Sequence, residues 1–346
     1  MKKKFGLTTL VLTLCFALSG SAWAATWNNA TPPSVGNGTT VTISGTPGGT
    51  LSIPAGATVT IEGTATAVDV NLAFDISPDA TVQWRANVTG EAPDTHPLIY
   101  VAGGGTFLIE NGTIAATGTD GQLTAIFVEE STLAISGGTV STTGTAGDDY
   151  GIYAIIADYS IVEITGGEIL VEGKGDNDYI VAVWAYESDV TLTGGGTRNI
   201  DITGTAEKFV TIYSDNSTVT VTGNTELINE TGRFIIIENG GKLYVSGNPG
   251  TFVNRGTVDI GTGSELVNEG TIDNTGGTIS NNGTFISVQT AAEMGGTIDG
   301  TVTPLPNGNG NGNGNGNGGG SSGCNITVSL FAMLLALPLV LRKKEI

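Results

Sequence analysis

The sequence predicts an all-β fold, a single right-handed parallel β-helix of about nine to eleven coils. Two observations support this fold class. Short segments with alternating apolar and polar residues recur along the chain, and each ends in a turn rich in Gly or Asn. The chain contains 54 glycines and only 13% charged residues, yet Val, Ile and Leu remain frequent. This composition favours β-structure over disorder.

Six similar segments define the repeat. They begin at Thr106, Thr132, Ile161, Asp189, Thr218 and Lys242. Their starts are 24 to 29 residues apart, which suits a right-handed parallel β-helix better than the left-handed type built from six-residue steps. A second short strand precedes each segment, so the unit is strand, tight turn, strand, Gly turn and variable return. An array of β-sandwiches is the alternative, but it does not require one regular coil length.

Aligned repeats place similar residues in columns. Two apolar columns are Leu133, Val162, Val190, Val219 and Leu243, and Ile135, Ile164, Leu192, Val221 and Val245. The residues between them are mostly polar, as expected for strands with one buried face. A turn column contains Asn111, Gly137, Gly166, Gly194, Gly223 and Gly247. We expect a left-handed backbone in this column, because Gly and Asn tolerate φ > 0.

The N-terminus has the features of a secretory signal peptide. Lys2, Lys3 and Lys4 precede an apolar stretch over residues 7–18, and Ala22-Trp23-Ala24 follows it. This order predicts cleavage after Ala24. A retained membrane anchor is the alternative, but the apolar run is short and is flanked by Gly and Ser.

The C-terminus has the features of a sorting tail. Asn-Gly pairs fill residues 307–318, a small-residue segment ends at Cys324, and an uncharged run over 326–341 precedes Arg342, Lys343 and Lys344. As a helix that run would be about 24 Å long, shorter than the roughly 30 Å core of a bilayer. The segment therefore suits a temporary membrane stop that a protease removes.

The tail resembles bacterial C-terminal sorting signals of the Synergist-CTERM type. The resemblance lies in SSGCN at 321–325, the apolar run and the Arg-Lys-Lys cluster. It implies a sorting protease that cuts near Gly323 and Cys324, with Cys324 as a candidate site of lipid attachment. An ordinary short tail anchor in the membrane is the alternative. The predicted domains are a signal peptide (1–24), a β-helix (25–304), a flexible linker (305–323) and a sorting or anchor tail (324–346).

Charge and cysteine content narrow the function. The chain has a net charge of −20, which repels nucleic acid and anionic membranes, so we expect no nucleic-acid partner. Cys15 lies in the predicted signal and Cys324 in the tail. The predicted mature body therefore has neither a disulfide nor a thiolate metal site.

The sequence contains few candidate catalytic residues. His96 is the only histidine, so a Ser-His-Asp set or a histidine metal site cannot be assembled. Asp148, Asp149, Asp176 and Asp178 occupy equivalent return loops and are candidate carboxylates of a polysaccharide hydrolase or lyase. They are also ordinary loop residues. We expect no catalytic residues, no cofactor, no metal site and a non-enzymatic function.

The acidic turns are candidate weak calcium ligands. They contain Glu129, Glu130, Asp158, Glu187 and Asp215. Carboxylate oxygens suit Ca²⁺, but a solvated charged edge explains the same residues.

One column breaks the rule that outward residues are polar. If Ile126, Ile155, Val183, Ile212 and Ile236 point inward, the next residues point outward. These are Phe127, Ile156, Trp184, Tyr213 and Ile237. Such a stripe is typical of a contact surface for a glycan or a protein. Alternatively, a return loop covers it, or the alternation slips and these side chains are core.

Together these features predict an exported, non-enzymatic solenoid at the surface or outer envelope of a bacterium, anchored or released after processing of its tail. An adhesin-like or envelope structural role is expected. A carbohydrate-binding or carbohydrate-active protein is the alternative.

Overall fold

A computed structural model describes residues 24–305, except 69–70, 92–95, 120, 148–149, 175–178, 195, 198, 207 and 248–249. Within these residues the chain is an all-β parallel solenoid, as predicted. The one helix of the described part is α1 (Ala291–Met294), and no helix there is long and apolar enough to cross a bilayer. The chain divides between Leu305 and Pro306. Gly323, Cys324, Arg342, Lys343 and Lys344 lie outside the described residues.

The strands of the first coils are β1 (Ala24–Trp27), β2 (Thr39–Ile43), β3 (Gly49–Ile53), β4 (Thr58–Val68), β5 (Leu72–Ile76), β6 (Thr81–Trp84), β7 (Asn87–Glu91), β8 (Ile99–Ala102), β9 (Thr106–Ile109), β10 (Thr113–Gly118) and β11 (Leu123–Glu129). The central strands are β12 (Thr132–Ile135), β13 (Thr139–Thr145), β14 (Ile152–Asp158), β15 (Ile161–Ile164), β16 (Glu168–Lys174), β17 (Tyr179–Tyr186), β18 (Asp189–Leu192), β19 (Gly196–Thr197), β20 (Asn199–Thr205) and β21 (Lys208–Asp215). The last strands are β22 (Thr218–Val221), β23 (Thr225–Asn229), β24 (Arg233–Glu238), β25 (Lys242–Val245), β26 (Thr251–Asn254), β27 (Thr257–Ile260), β28 (Glu265–Asn268), β29 (Thr271–Asp273), β30 (Thr278–Asn281), β31 (Thr284–Ser287), β32 (Thr297–Asp299) and β33 (Val302–Pro304).

A complete coil adds one strand to each of three faces, and its strands pair in parallel with those of the coils before and after it. Sheet 1 contains β1, β2, β4, β6, β9, β12, β15, β18, β22, β25, β28, β31 and β33. Sheet 2 contains β3, β5, β8, β11, β14, β17, β21, β24, β27, β30 and β32. The third face is formed by β4, β7, β10, β13, β16 and β20, and then by β19, β23, β26 and β29.

The solenoid makes about 8 turns, fewer than the nine to eleven predicted, and the eleven strands of sheet 2 include those of incomplete coils at both ends. Coils at both ends lack a strand on the third face. The chain passes from β2 to β3 without one, and α1 takes that place between β31 and β32.

The core lies between the faces and is built from the predicted columns. Leu133 pairs with Val162, and Val162 pairs with Val190. All three side chains are fully buried. Residues between the two apolar columns, such as Glu163, are exposed or half-buried. Inward-facing strand positions therefore stack like on like, which gives one continuous apolar interior.

Aromatic side chains fill the first coils. The ring centroids of Trp27 and Phe74 lie 5.8 Å apart, and Phe74 lies 5.1 Å from Phe107 and 6.1 Å from Trp84. The Trp27 indole N–H donates to the Gly48 carbonyl at 3.1 Å. Ala24, the predicted cleavage residue, is exposed at the start of β1 and pairs with Thr40.

Buried asparagines replace apolar residues in the last coils. The amide of Asn229 donates to Asn254 at 2.8 Å, and that of Asn254 donates to Asn274 at 2.7 Å. All three are fully buried. This ladder satisfies the polar groups of each coil with those of the next, as buried amides require.

The predicted turn glycines are only partly correct. Gly194 and Gly223 are left-handed, with φ of 93° and 67°. In other coils the left-handed residue is Gly112, Gly138 or Gly167, so the predictions for Asn111, Gly137 and Gly166 are wrong by one position. Gly247 is not left-handed either. Where the turn reads Gly-Gly, either residue can take φ > 0, and the sequence alone does not separate them.

Gly137 and Gly166 are nevertheless required by close packing. A Cβ on Gly166 would lie 2.3 Å from the Ser136 carbonyl oxygen, and one on Gly137 would lie 2.3 Å from that of Glu110. The neighbouring backbone leaves no room for a side chain at these positions.

We predict that Gly166→Ala lowers the free energy of unfolding by about 1–3 kcal/mol, the cost of forcing a methyl group into a packed site. Gly36→Ala is the matched control, because its Cβ would meet nothing within 4 Å. Denaturant unfolding of both variants checks this. Equal stability of the two would contradict the close stacking of turns.

Candidate functional site

The outer face of sheet 2 carries the stripe predicted from the sequence. Phe127 pairs with Ile156, Ile156 with Trp184, and Trp184 with Tyr213. All four are half-buried, while their neighbours on the inner face are fully buried. The column continues to Tyr100 in the preceding coil and to Ile236 in the following one. We call Tyr100, Phe127, Ile156, Trp184, Tyr213 and Ile236 the outer stripe.

The assignment of Ile237 to this stripe is wrong. Ile237 pairs with Ser214 and is fully buried in the main core. Thr211 has no partner in β24, because the register shifts there. The following turn contains one extra residue, so the two changes cancel in the repeat alignment. A shift of one residue turns each side chain to the opposite face of a strand, and Ile236 takes the outward position.

Four residues of the outer stripe, Ile156, Trp184, Tyr213 and Ile236, belong to a second apolar cluster, separate from the main core. Tyr153, Val181, Val210 and Ile236 are its buried members, and Ile156, Tyr179, Trp184, Tyr213 and Phe234 pack against them. Trp184 lies 5.1 Å from Tyr213 and 5.3 Å from Tyr153 between ring centroids. Tyr100 stacks on Phe127 at 5.8 Å. The rings hold one another in place and present a ready-made apolar surface.

Carboxylates run beside the stripe, two residues further along each strand. The column contains Glu129, Asp158, Asp215 and Glu238, and Tyr186 takes the position between Asp158 and Asp215. The Tyr100 hydroxyl donates to Glu129, and the Tyr213 hydroxyl donates to Glu238 at 2.6 Å. Burial, with the hydrogen bond to Glu129, raises the pKa of Tyr100 to about 12. Burial and Glu238 likewise raise the pKa of Tyr213. Both phenols therefore stay protonated and fix the acids beside the rings.

The turn after this column is unusual because its left-handed residue is not glycine. It is Glu130, Tyr159, Glu187, Asn216 or Asn239 in five successive coils, with φ between 45° and 52°. Side chains at such positions are uncommon. They are displayed at the corner between sheet 2 and sheet 1.

A buried serine supports four of these five turns. The N–H of Ser160 donates to the Ser188 hydroxyl at 2.9 Å, and that hydroxyl donates to the Tyr186 carbonyl at 2.7 Å. Ser131 and Ser217 continue the ladder. Sequence reasoning missed it, although serine recurs at one position of the repeat in four coils.

Asp158 is the most constrained carboxylate of the column. Burial raises its pKa, and Glu129, Glu187 and Glu130 raise it further. Its Oδ1 atom is buried without a hydrogen-bond partner. Ionisation of Asp158 is therefore less favourable in the folded chain than in the unfolded chain.

The other predicted site residues are placed as follows. Glu129 and Asp215 are half-buried, and Glu130 and Glu187 are exposed. In the described ranges, no group of three or more His, Cys, Asp and Glu side chains could hold a metal ion, and weak calcium binding stays a prediction. His96 is exposed. The candidate catalytic residues Asp148, Asp149, Asp176 and Asp178 lie outside the described residues.

No protein-family model, curated protein or solved structure matches the chain. Because a fold alone does not determine a function, function has to be inferred from this surface.

We predict that Asp158→Asn raises the melting temperature at pH 7. A pKa that is raised on folding contributes stability at low pH, and this contribution is lost as the pH rises through the folded-state pKa. The neutral amide removes that loss, so the gain should vanish at about pH 3, below the ordinary carboxyl pKa of about 3.9.

Asp273→Asn is the control of opposite sign. A hydrogen bond from Thr275 lowers the pKa of Asp273, so its charge is favourable in the fold and the substitution should bring no gain. Thermal unfolding between pH 3 and pH 8 measures both variants. A lower melting temperature for Asp158→Asn at pH 7 would contradict the assignment.

Proposed function

We propose that this chain is a non-enzymatic, adhesin-like solenoid that is exported and displayed at a bacterial surface. It binds an extracellular glycan through the outer stripe. The observation that carries this proposal is the second apolar cluster. Four of its aromatic rings are half-buried on the outward face of sheet 2, namely Tyr179, Trp184, Tyr213 and Phe234. A soluble solenoid needs apolar columns inside, but it needs none on this face.

The geometry of the stripe suits flat, partly apolar ligands such as sugar rings. Aromatic rings offer large contact areas, and exposed apolar surface rimmed by polar groups is typical of interaction sites. Glu129 and Glu238, held by the phenols of Tyr100 and Tyr213, supply hydrogen-bond acceptors at the rim. Since the backbone fixes the spacing of the rings, little ordering entropy opposes binding.

Export and display rest on the two ends of the sequence. The signal peptide ending at Ala24 directs the chain out of the cytoplasm, and the tail holds it at the membrane until a sorting protease cuts near Gly323 and Cys324. The Asn-Gly sequence over residues 307–318 is typical of a spacer between a domain and its anchor, which fits display at a surface.

A carbohydrate-active enzyme is the second candidate, and the environment of Asp158 favours it. A carboxyl group whose pKa is raised by burial can serve as a general acid in glycoside hydrolysis. The test is release of reducing ends from polysaccharides. Cleavage that Asp158→Asn abolishes would replace the non-enzymatic proposal.

We predict that Trp184→Ala combined with Tyr213→Ala weakens glycan binding at least tenfold, because it removes two adjacent rings of the stripe. The matched control is Tyr244→Ala, which removes a half-buried ring from the outward side of sheet 1. A glycan array followed by titration calorimetry measures binding. Unchanged binding, or collapse of the fold, would contradict the role of the stripe as a contact surface.

We predict that the native protein ends near Gly323 or Cys324. Mass spectrometry of surface-shaved protein from the native host checks this, and it also detects a lipid on Cys324. Peptides that reach Ile346 in surface-exposed protein would contradict processing and leave a plain tail anchor.

A further inference from the structure

The corner between sheet 2 and sheet 1 exposes a group of apolar side chains. Tyr159 is 53% exposed, Ile161 46% and Tyr186 39%. The two tyrosine rings lie 5.8 Å apart and nearly perpendicular, at 85°. Tyr186 also projects from the same side of β17 as Trp184, two residues earlier, so the corner continues the outer stripe.

Carboxylates flank both tyrosines in the neighbouring coils. In one column Tyr186 pairs with Asp158 on one side and Asp215 on the other. In the left-handed column Tyr159 lies between Glu130 and Glu187, since the N–H of Glu130 donates to the Asp158 carbonyl and that of Tyr159 donates to the Tyr186 carbonyl. Successive coils are about 4.8 Å apart. We call the two tyrosines and these four acids the corner box.

The charge of the corner box is not balanced by cations. Among the described residues, none of its four carboxylates forms an ion pair with Lys or Arg. Asp215 accepts a hydrogen bond from the Asn239 amide at 2.7 Å, and Asp158 Oδ1 has no partner. The carboxylates of Glu130, Glu187 and Asp215 thus place negative charge around the exposed rings, and a bound cation would favour the ionised form of Asp158 as well.

We propose that the corner box binds ammonium groups, so that the ligand of the outer stripe is a polysaccharide of amino sugars with free amines. This rests on the proposed function and specifies its ligand. An ammonium group is attracted both to the face of a tyrosine ring and to the surrounding carboxylates. Its sugar ring can stack on the aromatic rings of the stripe.

Other ligand classes fit less well. An anionic glycan is repelled by the carboxylates of Glu130, Glu187 and Asp215. Calcium takes six to eight oxygens at 2.3–2.6 Å. In each column of the corner box a tyrosine lies between the two carboxylates, which are two coil heights, about 9.6 Å, apart. Glu129 is next to Asp158, but its carboxylate already accepts a hydrogen bond from the Tyr100 hydroxyl. A basic polypeptide matches the charge of the corner box, but a sugar polymer matches the row of flat rings beside the carboxylates better.

The test compares oligomers of glucosamine with N-acetylated oligomers of the same length, bound to the full chain at low salt. Acetylation keeps the sugar ring and removes the positive charge. We expect at least tenfold tighter binding of the free amine, with a preference that falls as salt rises. Equal binding of both would overturn this inference and leave glycan binding intact. Failure of both to bind would overturn it too, and the glycan array then decides separately on the proposed function.

Two variants locate the effect. Tyr159→Asn together with Tyr186→Asn removes the rings, and Glu187→Asn removes one charge. Asparagine occupies the left-handed position in the two coils after Glu187, at Asn216 and Asn239, so the turn should tolerate it at Tyr159 and Glu187. Tyr186 is an exposed strand residue, where a polar side chain can face solvent. We expect the preference for the amine to fall to twofold or less with the tyrosine variant and to weaken with Glu187→Asn.

The matched control is Tyr150→Asn, which removes a ring that is 41% exposed before the opposite end of β14. Its preference should stay unchanged. An unchanged preference in the tyrosine variant would overturn the inference. Polylysine binding that depends on Tyr159 and Tyr186 while glucosamine oligomers fail would instead indicate a basic polypeptide, and a strict requirement for calcium would indicate a metal site.

Discussion

Backbone hydrogen bonds between equivalent residues of successive coils set the positions of all other groups in this molecule. Residue Val162 lies between Leu133 and Val190, and Trp184 lies between Ile156 and Tyr213. The coils repeat at about 4.8 Å, so each position of the repeat becomes a column of side chains in contact. Inward columns must be apolar or, like Asn254, hydrogen-bonded along the column. Turn positions that face the neighbouring backbone, such as Gly166, must lack a side chain.

The same hydrogen-bonded ladder explains how a regular scaffold displays different side chains at equivalent positions of successive coils. At the corner of sheet 2 the chain takes a left-handed conformation at residues such as Tyr159 and Glu187, which costs on the order of 1 kcal/mol or more. The serine ladder below offsets this cost, because Ser160 and Ser188 satisfy the buried backbone groups of the turn. The fixed turn backbone then points variable side chains at solvent. Ring and carboxylate spacing along the surface follows from coil spacing.

Most of the fold could be predicted from the periodicity of the sequence. The columns that contain Leu133 and Ile135 could be predicted, because apolar residues alternate with polar ones at a nearly constant repeat. The prediction of which residues share a column was wrong in the coil of Ile237. This coil lacks one inward residue of the strand and has one extra residue in the turn, so the length of the repeat stays the same. The left-handed residue of Gly-Gly turns was predicted wrongly for a related reason. The composition shows where the turn is, but hydrogen bonding determines which of the two glycines is left-handed.

The site was predictable only in outline. Four residues of the outer stripe follow from alternation alone, but alternation does not identify Tyr100, because the repeat that contains it is less regular. The corner box could not be predicted, because its tyrosines and acids are adjacent only through pairing between coils. Sequence alone shows Asp158-Tyr159 and Tyr186-Glu187 as two separate polar turns. Their meeting is a property of the stacked fold.

Solvent access to Trp184 tests most directly whether the stripe is an open surface. Acrylamide quenching of tryptophan fluorescence is compared between the chain and its Trp184→Phe variant. We predict that Trp184 contributes a quenchable component, which the variant lacks, while fully buried Trp27 and Trp84 resist quenching in both. A Trp184 as resistant to quenching as Trp27 and Trp84 would show that the stripe is covered in solution, and would contradict its role as the contact surface.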